Sequence, residues 1–122
     1  MKVFFDCGSR PHPTGMELAV VMGGRTIIKR DLGSGTAMDA EWLALIEAMG
    51  LAHQHGLIDP VLLGDAAAVI AQAEGSVRCP PAYLHHMQAF RALPLPAGRV
   101  RIRYVKRTKN LAGIALAGLH ER

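Results

Sequence analysis

The chain has 122 residues, half of them hydrophobic, which is enough for one compact domain over residues 1–122 around a single core. A formal net charge of +4 tilts its partners towards anions, nucleic acid above all. The apolar run after Lys2 is only three residues long, and no run approaches the ~20 needed to span a bilayer, so neither a secretory leader nor a membrane partner is expected.

Val3-Phe4-Phe5 has the continuous apolar character of a fully buried central strand, and Asp6 follows at once, with Cys7-Gly8-Ser9 expected to turn the chain. Asp is depleted in strands because its carboxylate must be solvated or paired. Asp6 is therefore either a turn-former or an acid held at a strand end, where other acids could converge on a cation. Residues Arg10-Pro11-His12-Pro13-Thr14-Gly15 read as a loop. Met16 to Met22 reads as a strand, Gly23-Gly24 as a two-residue hairpin, and Arg25 to Leu32 as the antiparallel partner, ended by Gly33-Ser34-Gly35.

Thr36-Ala37-Met38-Asp39 has capping-box spacing and opens a helix running to about His55, where Gly56 stops it. Glu41 lies in the first turn and shares a face with Ala44, Leu45 and Ala48; the helix dipole alone would favour an acid there. Val61-Leu62-Leu63-Gly64-Asp65 repeats the opening pattern of a short buried strand with an acid at its carboxyl end. Ala66 to Ala73 is a second helix. Cys79-Pro80-Pro81 starts a third, with Tyr83, Leu84, Met87 and Phe90, and Leu93-Pro94-Leu95-Pro96 breaks it. Val100, Ile102 and Tyr104 alternate with Arg99, Arg101 and Arg103 in a half-exposed strand. Asn110 caps a last helix ending near Leu119.

The order β-β-β-α-β-α-α-β-α predicts an α/β fold, a mixed five-stranded sheet with helices on both faces. The crevice outside the carboxyl ends of parallel strands is the usual binding site in such sheets, and Asp6 and Asp65 both fall there. Cys7 and Cys79 form no C-x-x-C pair and read as reduced thiols, which points to a cytoplasmic protein. His53 and His55 read as capping or exposed side chains near a helix end. His85 and His86 are adjacent, so they are expected to point in different directions and make a poor metal pair. Arg99, Arg101, Arg103, Lys106, Arg107 and Lys109 form either a solvated face or a phosphate track. Trp42 reads as a packing residue.

Four motifs in this order resemble the ribonuclease H family, including its reverse-transcriptase-like branch, over nearly the whole chain. They are Phe5-Asp6-Cys7-Gly8-Ser9, Thr36-Ala37-Met38-Asp39-Ala40-Glu41-Trp42, Leu63-Gly64-Asp65-Ala66 and Asn110-Leu111-Ala112-Gly113-Ile114-Ala115-Leu116-Ala117, the last set against the family's Asn-x-x-Ala-Asp-x-Leu-Ala. The resemblance implies that Asp6, Glu41 and Asp65 are catalytic and bind Mg²⁺ or Mn²⁺. Crowded carboxylates repel, and divalent cations hold them together. Two such ions, roughly 3.5–4 Å apart, would activate a water and stabilise the leaving oxygen of a phosphodiester. The implied substrate is an RNA–DNA hybrid cleaved in its RNA strand, with Arg10, Lys106, Arg107, Lys109 and Asn110 at the nucleic acid.

The chain also departs from the family at polar positions. The fourth acid falls on Ile114, expected as a buried apolar wall, and the two Asn before the helix acid fall on Ala37 and Met38. Ala66 replaces a Ser, the loop Lys106-Arg107-Thr108-Lys109 has no His, and the loop after the first strand lacks Gly-Asn-Pro-Gly. Asp39 or Glu17 could compensate for the lost acid. Three readings follow: a metal-dependent nuclease with an incomplete site, a nucleic-acid-binding module that has lost the reaction, or a protein-interaction domain on the same fold.

Overall fold

The first strand sets the frame. In the computed structural model, which describes residues 1–11 and 15–120, β1 runs Lys2–Ser9 and occupies the centre of a five-stranded sheet. β2 (Met16–Met22) and β3 (Arg25–Lys29) follow as antiparallel neighbours, and β4 (Val61–Gly64) and β5 (Arg101–Tyr104) lie parallel on the other side, giving the order β3-β2-β1-β4-β5. The element order is the one the sequence predicts. His12, Pro13 and Thr14 of the expected loop lie outside the described residues.

The helices are α1 (Ala37–Gln54), α2 (Ala67–Glu74), α3 (Leu84–Arg91) and α4 (Leu111–Leu119). They cover both faces of the sheet, as strand periodicity requires. Val3 and Phe5, with Leu18 and Val20 of β2, pack against Trp42, Leu45 and Met49 of α1 in the main core. Phe4, with Ala19, Val21 and Ile28, points the other way onto Ala112 and Leu116 of α4. The apolar run Val3-Phe4-Phe5 is explained by a strand buried on two sides.

Two strand ends differ from the sequence reading. Cys7, Gly8 and Ser9 do not turn the chain; they pair with Leu18, Glu17 and Met16, because the antiparallel ladder with β2 continues past Asp6. β3 stops at Lys29 rather than Leu32, since Asp31 adopts φ 59°, a left-handed conformation that breaks a ladder.

Local signals explain the helix ends. Thr36 Oγ1 accepts the Asp39 N–H at 3.1 Å and Asp39 Oδ2 accepts the Thr36 N–H at 2.9 Å, a complete capping box. Gly56, at φ 65°, follows the other end of α1. Pro80 and Pro81 yield a 3-10 turn, Pro81–Tyr83, so α3 proper begins only at Leu84. Trp42 is fully buried, donates its indole N–H to Gln72 Oε1 at 3.2 Å and meets Phe90 edge-on at 5.9 Å, a packing role as expected.

A second 3-10 turn, Arg107–Lys109, leads into α4, and Asn110 anchors the junction. Its Oδ1 accepts the Ala112 N–H at 3.1 Å, while its Nδ2 donates to the Phe5 carbonyl of β1 at 3.0 Å. One buried amide thus caps α4 and ties it to the strand beside Asp6. Asn110→Ala leaves both backbone groups unpaired in a dry environment and should cost about 2–3 kcal/mol in urea denaturation, while the isosteric Asn110→Asp should retain the cap but lose the bond to Phe5.

Candidate active site

Asp6, Glu41 and Asp65 line one narrow crevice, walled by Phe5, Cys7, Ala44 and Ala66. Each arrives from a different element. The parallel pairing of β1 with β4 ends at Phe4 opposite Leu63, so Asp6 has a ladder partner on the β2 side only. Asp65 follows the last residue of β4, Gly64, and opens towards the gap that the end of pairing leaves. Glu41 descends from α1 just past its first turn, half-buried among Ala44 and Leu45. Two glycines permit the close approach. The Phe5 ring lies where a side chain on Gly64 would stand, and a Cβ on Gly113 of α4 would meet Asp6 Oδ2 at 2.6 Å.

Burial and mutual repulsion mark the three acids electrostatically. Desolvation first, and the Asp65 charge second among the raising influences, lift Asp6 from 3.8 to about 6, against the pull of the Cys7 backbone N–H and Arg107. Glu41 is also raised, by burial and then by Asp65 and Asp6. Asp65 Oδ2 is buried with no hydrogen-bond partner among the described residues. Burial, then the charges of Asp6, Glu41 and Asp65, hold the Cys7 thiol far above its ordinary value, so it stays protonated and is no nucleophile.

An all-oxygen donor set with an unpartnered buried carboxylate oxygen fits a hard divalent cation such as Mg²⁺ or Mn²⁺. The three acids do not each bring an oxygen within 4.8 Å of the others, the spacing that Asp39, His85 and His86 alone achieve among the described residues. A cation held by all three would have to draw them closer together.

On its other side Asp6 faces an open cleft of about 360 Å³, also lined by Gly8, Arg10, Glu17, Arg107, Gly113 and Ile114. Ile114 stands on this wall but is 55% exposed, not buried as expected, because α4 turns Ala112 and Leu116 to the sheet instead. Arg10 and Arg107 share the cleft, and Lys106 and Lys109 are exposed on the adjoining 3-10 turn. Asn110 is fully buried and its amide is engaged by Phe5 and Ala112, so it positions α4 and is not available to a ligand in the cleft. Arg103, from the other part of the basic set, faces Glu74 of α2 at 3.5 Å.

Neither acid considered as a substitute for the missing carboxylate is free. Glu17 lines the cleft but is 1% exposed and surrounded by His120 Nε2 at 2.6 Å, Arg30 Nε at 3.4 Å and Arg10 Nε at 3.6 Å. Its isolation within the apolar run Met16-Glu17-Leu18-Ala19-Val20 was the available signal that partners must enclose it. Asp39 bonds Thr36 through Oδ2 and His86 Nε2 through Oδ1 at 2.8 Å, and does not line the crevice. His85 and His86 do not diverge: their ring centroids lie 4.0 Å apart.

The raised acids predict a pH dependence. Folded Asp6 keeps its proton to about pH 6, whereas the unfolded chain releases it near 3.8, so stability without metal falls as pH rises across that window. Glu41 acts in the same direction. Asp39, held low by the Thr36 N–H and then by His86, acts oppositely, but its contribution is lost only as pH falls below the ordinary carboxylate range. Urea midpoints should therefore decline from about pH 4 to about pH 6, less steeply in Asp65→Asn, where burial alone still raises Asp6, and recover at neutral pH with millimolar Mg²⁺ or Mn²⁺ in the wild type. Identical profiles for both proteins would mean that Asp65 does not act on its neighbours.

No family profile and no curated protein matches the chain. Solved structures do. The RNase H1 of the halophilic archaeon Halobacterium salinarum is similar with a TM-score of 0.77 and 27% identity, over 94% of this chain and 92% of that one. The N-terminal RNase H domain of a Mycobacterium tuberculosis protein gives 0.73 and 21%, over 98% and 97%. LC11-RNase H1, solved in complex with an RNA/DNA hybrid, gives 0.60 and 18%, over 89% and 87%. The mixed sheet with helices on both faces is shared across nearly the full length of these chains, and the fold of this chain is that of the ribonuclease H structures it resembles.

Proposed function

We propose that this chain is a metal-dependent endonuclease of the ribonuclease H type that hydrolyses the RNA strand of RNA–DNA hybrids. The observation that carries the reading is the crevice that Asp6, Glu41 and Asp65 line together, with Asp6 and Glu41 raised and an Asp65 oxygen unpartnered. A second support is the hybrid bound by LC11-RNase H1, a protein of similar fold. A bound divalent cation supplies an activated water and stabilises the leaving oxygen of the phosphodiester. Asp65 offers the free inward oxygen to hold it, and Glu41 closes the crevice from the helix side. Asp6 belongs to crevice and cleft alike, so it would hold the cation on the side that faces the cleft. Arg10 and Arg107 line the cleft and neutralise the phosphate backbone, while Lys106 and Lys109 extend the basic surface. Recognition then rests on backbone geometry and 2′-hydroxyls rather than on base sequence.

Ile114 supports a second reading, a nucleic-acid-binding module that has lost the reaction. It sets an apolar side chain on the cleft wall beside Asp6, where it cannot hold a cation. A labelled hybrid incubated with Mg²⁺ or Mn²⁺ separates the two. The nuclease reading requires cleavage of the RNA strand that falls on the order of 100-fold or more in Asp65→Asn. Salt-sensitive hybrid binding without cleavage would favour the module, and absence of both would overturn the two readings together.

Ile114→Asp tests the wall itself. Because the side chain is exposed and near the start of α4, where the dipole favours an acid, the change should alter stability by less than about 1 kcal/mol. It should tighten divalent-cation binding and raise cleavage above wild type. No change in either would place residue 114 out of reach of the cation.

A further inference from the structure

We propose a second metal site, independent of the acidic crevice, in which Asp39, His85 and His86 bind a borderline transition-metal ion of the Zn²⁺ class. One ligand atom from each lies within 4.8 Å of the other two. His86 Nε2 is 2.8 Å from Asp39 Oδ1, and the His85 ring lies 4.0 Å from that of His86 with the planes tilted by 37°.

The cluster is built rather than a chance meeting of surface side chains. His86 is buried and stacks on Tyr83 at 6.4 Å and 16°. The Tyr83 hydroxyl in turn lies 3.0 Å from Thr36 Oγ1, the hydroxyl that caps α1. Asp39 is fixed from the opposite side by the Thr36 N–H and Oγ1, at 2.9 and 3.0 Å. Two ligands thus sit on orienting partners, as tuned metal sites require, and the third, His85, is exposed.

The donor chemistry selects the ion. Two imidazole nitrogens and one carboxylate oxygen suit Zn²⁺, Co²⁺, Ni²⁺ or Cu²⁺, whereas Mg²⁺ prefers the all-oxygen crevice. Three protein ligands leave a fourth tetrahedral position for water. On binding, the ion would take the place of the proton between His86 Nε2 and Asp39 Oδ1; in a neutral ring that proton moves to Nδ1, and only from an imidazolium does one leave to solvent. The ion would staple α3 to the first turn of α1, two residues ahead of Glu41.

Co²⁺ titration of the full chain, followed by Zn²⁺ displacement and thermal unfolding, tests the site. Wild type should develop the visible absorption of tetrahedral Co²⁺, lose it to Zn²⁺, and gain roughly 5–10 °C in Tm at a Zn²⁺ concentration 100-fold above Kd. His85→Ala, an exposed change that should leave the fold intact by circular dichroism, should weaken Zn²⁺ binding at least about tenfold, and His86→Gln should do the same. Asp65→Asn should leave the band and the Zn²⁺ shift unchanged. The proposal is overturned if wild type shows neither signal, if both histidine variants retain them, or if Asp65→Asn alone removes them, since the ion would then occupy the acidic crevice.

Discussion

An acid in the middle of a strand covered on both faces is the constraint around which this molecule is arranged. Asp6 sits in β1 with α1 on one side of the sheet and α4 on the other. A carboxylate cannot be left there dry and alone. The fold resolves the difficulty by stopping β4 at Gly64, so that β1 loses its parallel neighbour just before Asp6 and a crevice opens in the sheet. Asp65 and Glu41 enter that crevice beside it, and burial first, then the neighbouring carboxylates, raise Asp6 and Glu41. The arrangement is unfavourable for the metal-free protein and well suited to an added positive charge.

The two surroundings of Asp6 have opposite character. The crevice is anionic and lined by alanines and Phe5, which exclude water without supplying a donor. The cleft on the α4 side carries Arg10 and Arg107, and its one further acid, Glu17, is enclosed by His120, Arg10 and Arg30. Charge therefore changes sign across a single side chain. The Asn110 amide maintains this boundary, since it fixes the start of α4 to the carbonyl of Phe5, the residue preceding Asp6. Gly113 allows α4 to press against the carboxylate without displacing it.

The start of α1 carries two acids with separate duties. Asp39 completes the capping box and meets His86, while Glu41, two residues on, is turned into the crevice. Helical geometry explains the division: positions two apart project to different sides of the cylinder, so one acid serves the cap and the other the sheet. For the same reason Asp39 cannot stand in for the carboxylate missing at Ile114.

Most of the architecture was legible in the sequence because it rests on local physics. Strand and helix periods, the Thr36–Asp39 box, the Gly23-Gly24 hairpin and the Gly56 stop each act within a few residues, and their order admits few topologies. Asp6 and Asp65 could be picked out because each ends an apolar run, whereas Glu41, which the helix dipole alone would favour, was singled out only by the resemblance to the ribonuclease H family. What lay beyond the sequence depends on partners distant along the chain. Cys7-Gly8-Ser9 has turn composition, yet the ladder with Met16-Glu17-Leu18 keeps it extended. Ile114 has core chemistry, yet the rotation of α4 on the sheet leaves it exposed. His85 and His86, separated in direction by helical geometry alone, are gathered by Tyr83 and by an acid 47 residues from His86. Local sequence determined which elements form and where they stop; only their packing decided which side chains face one another, because facing is set by register and helix rotation, which no short stretch of chain encodes.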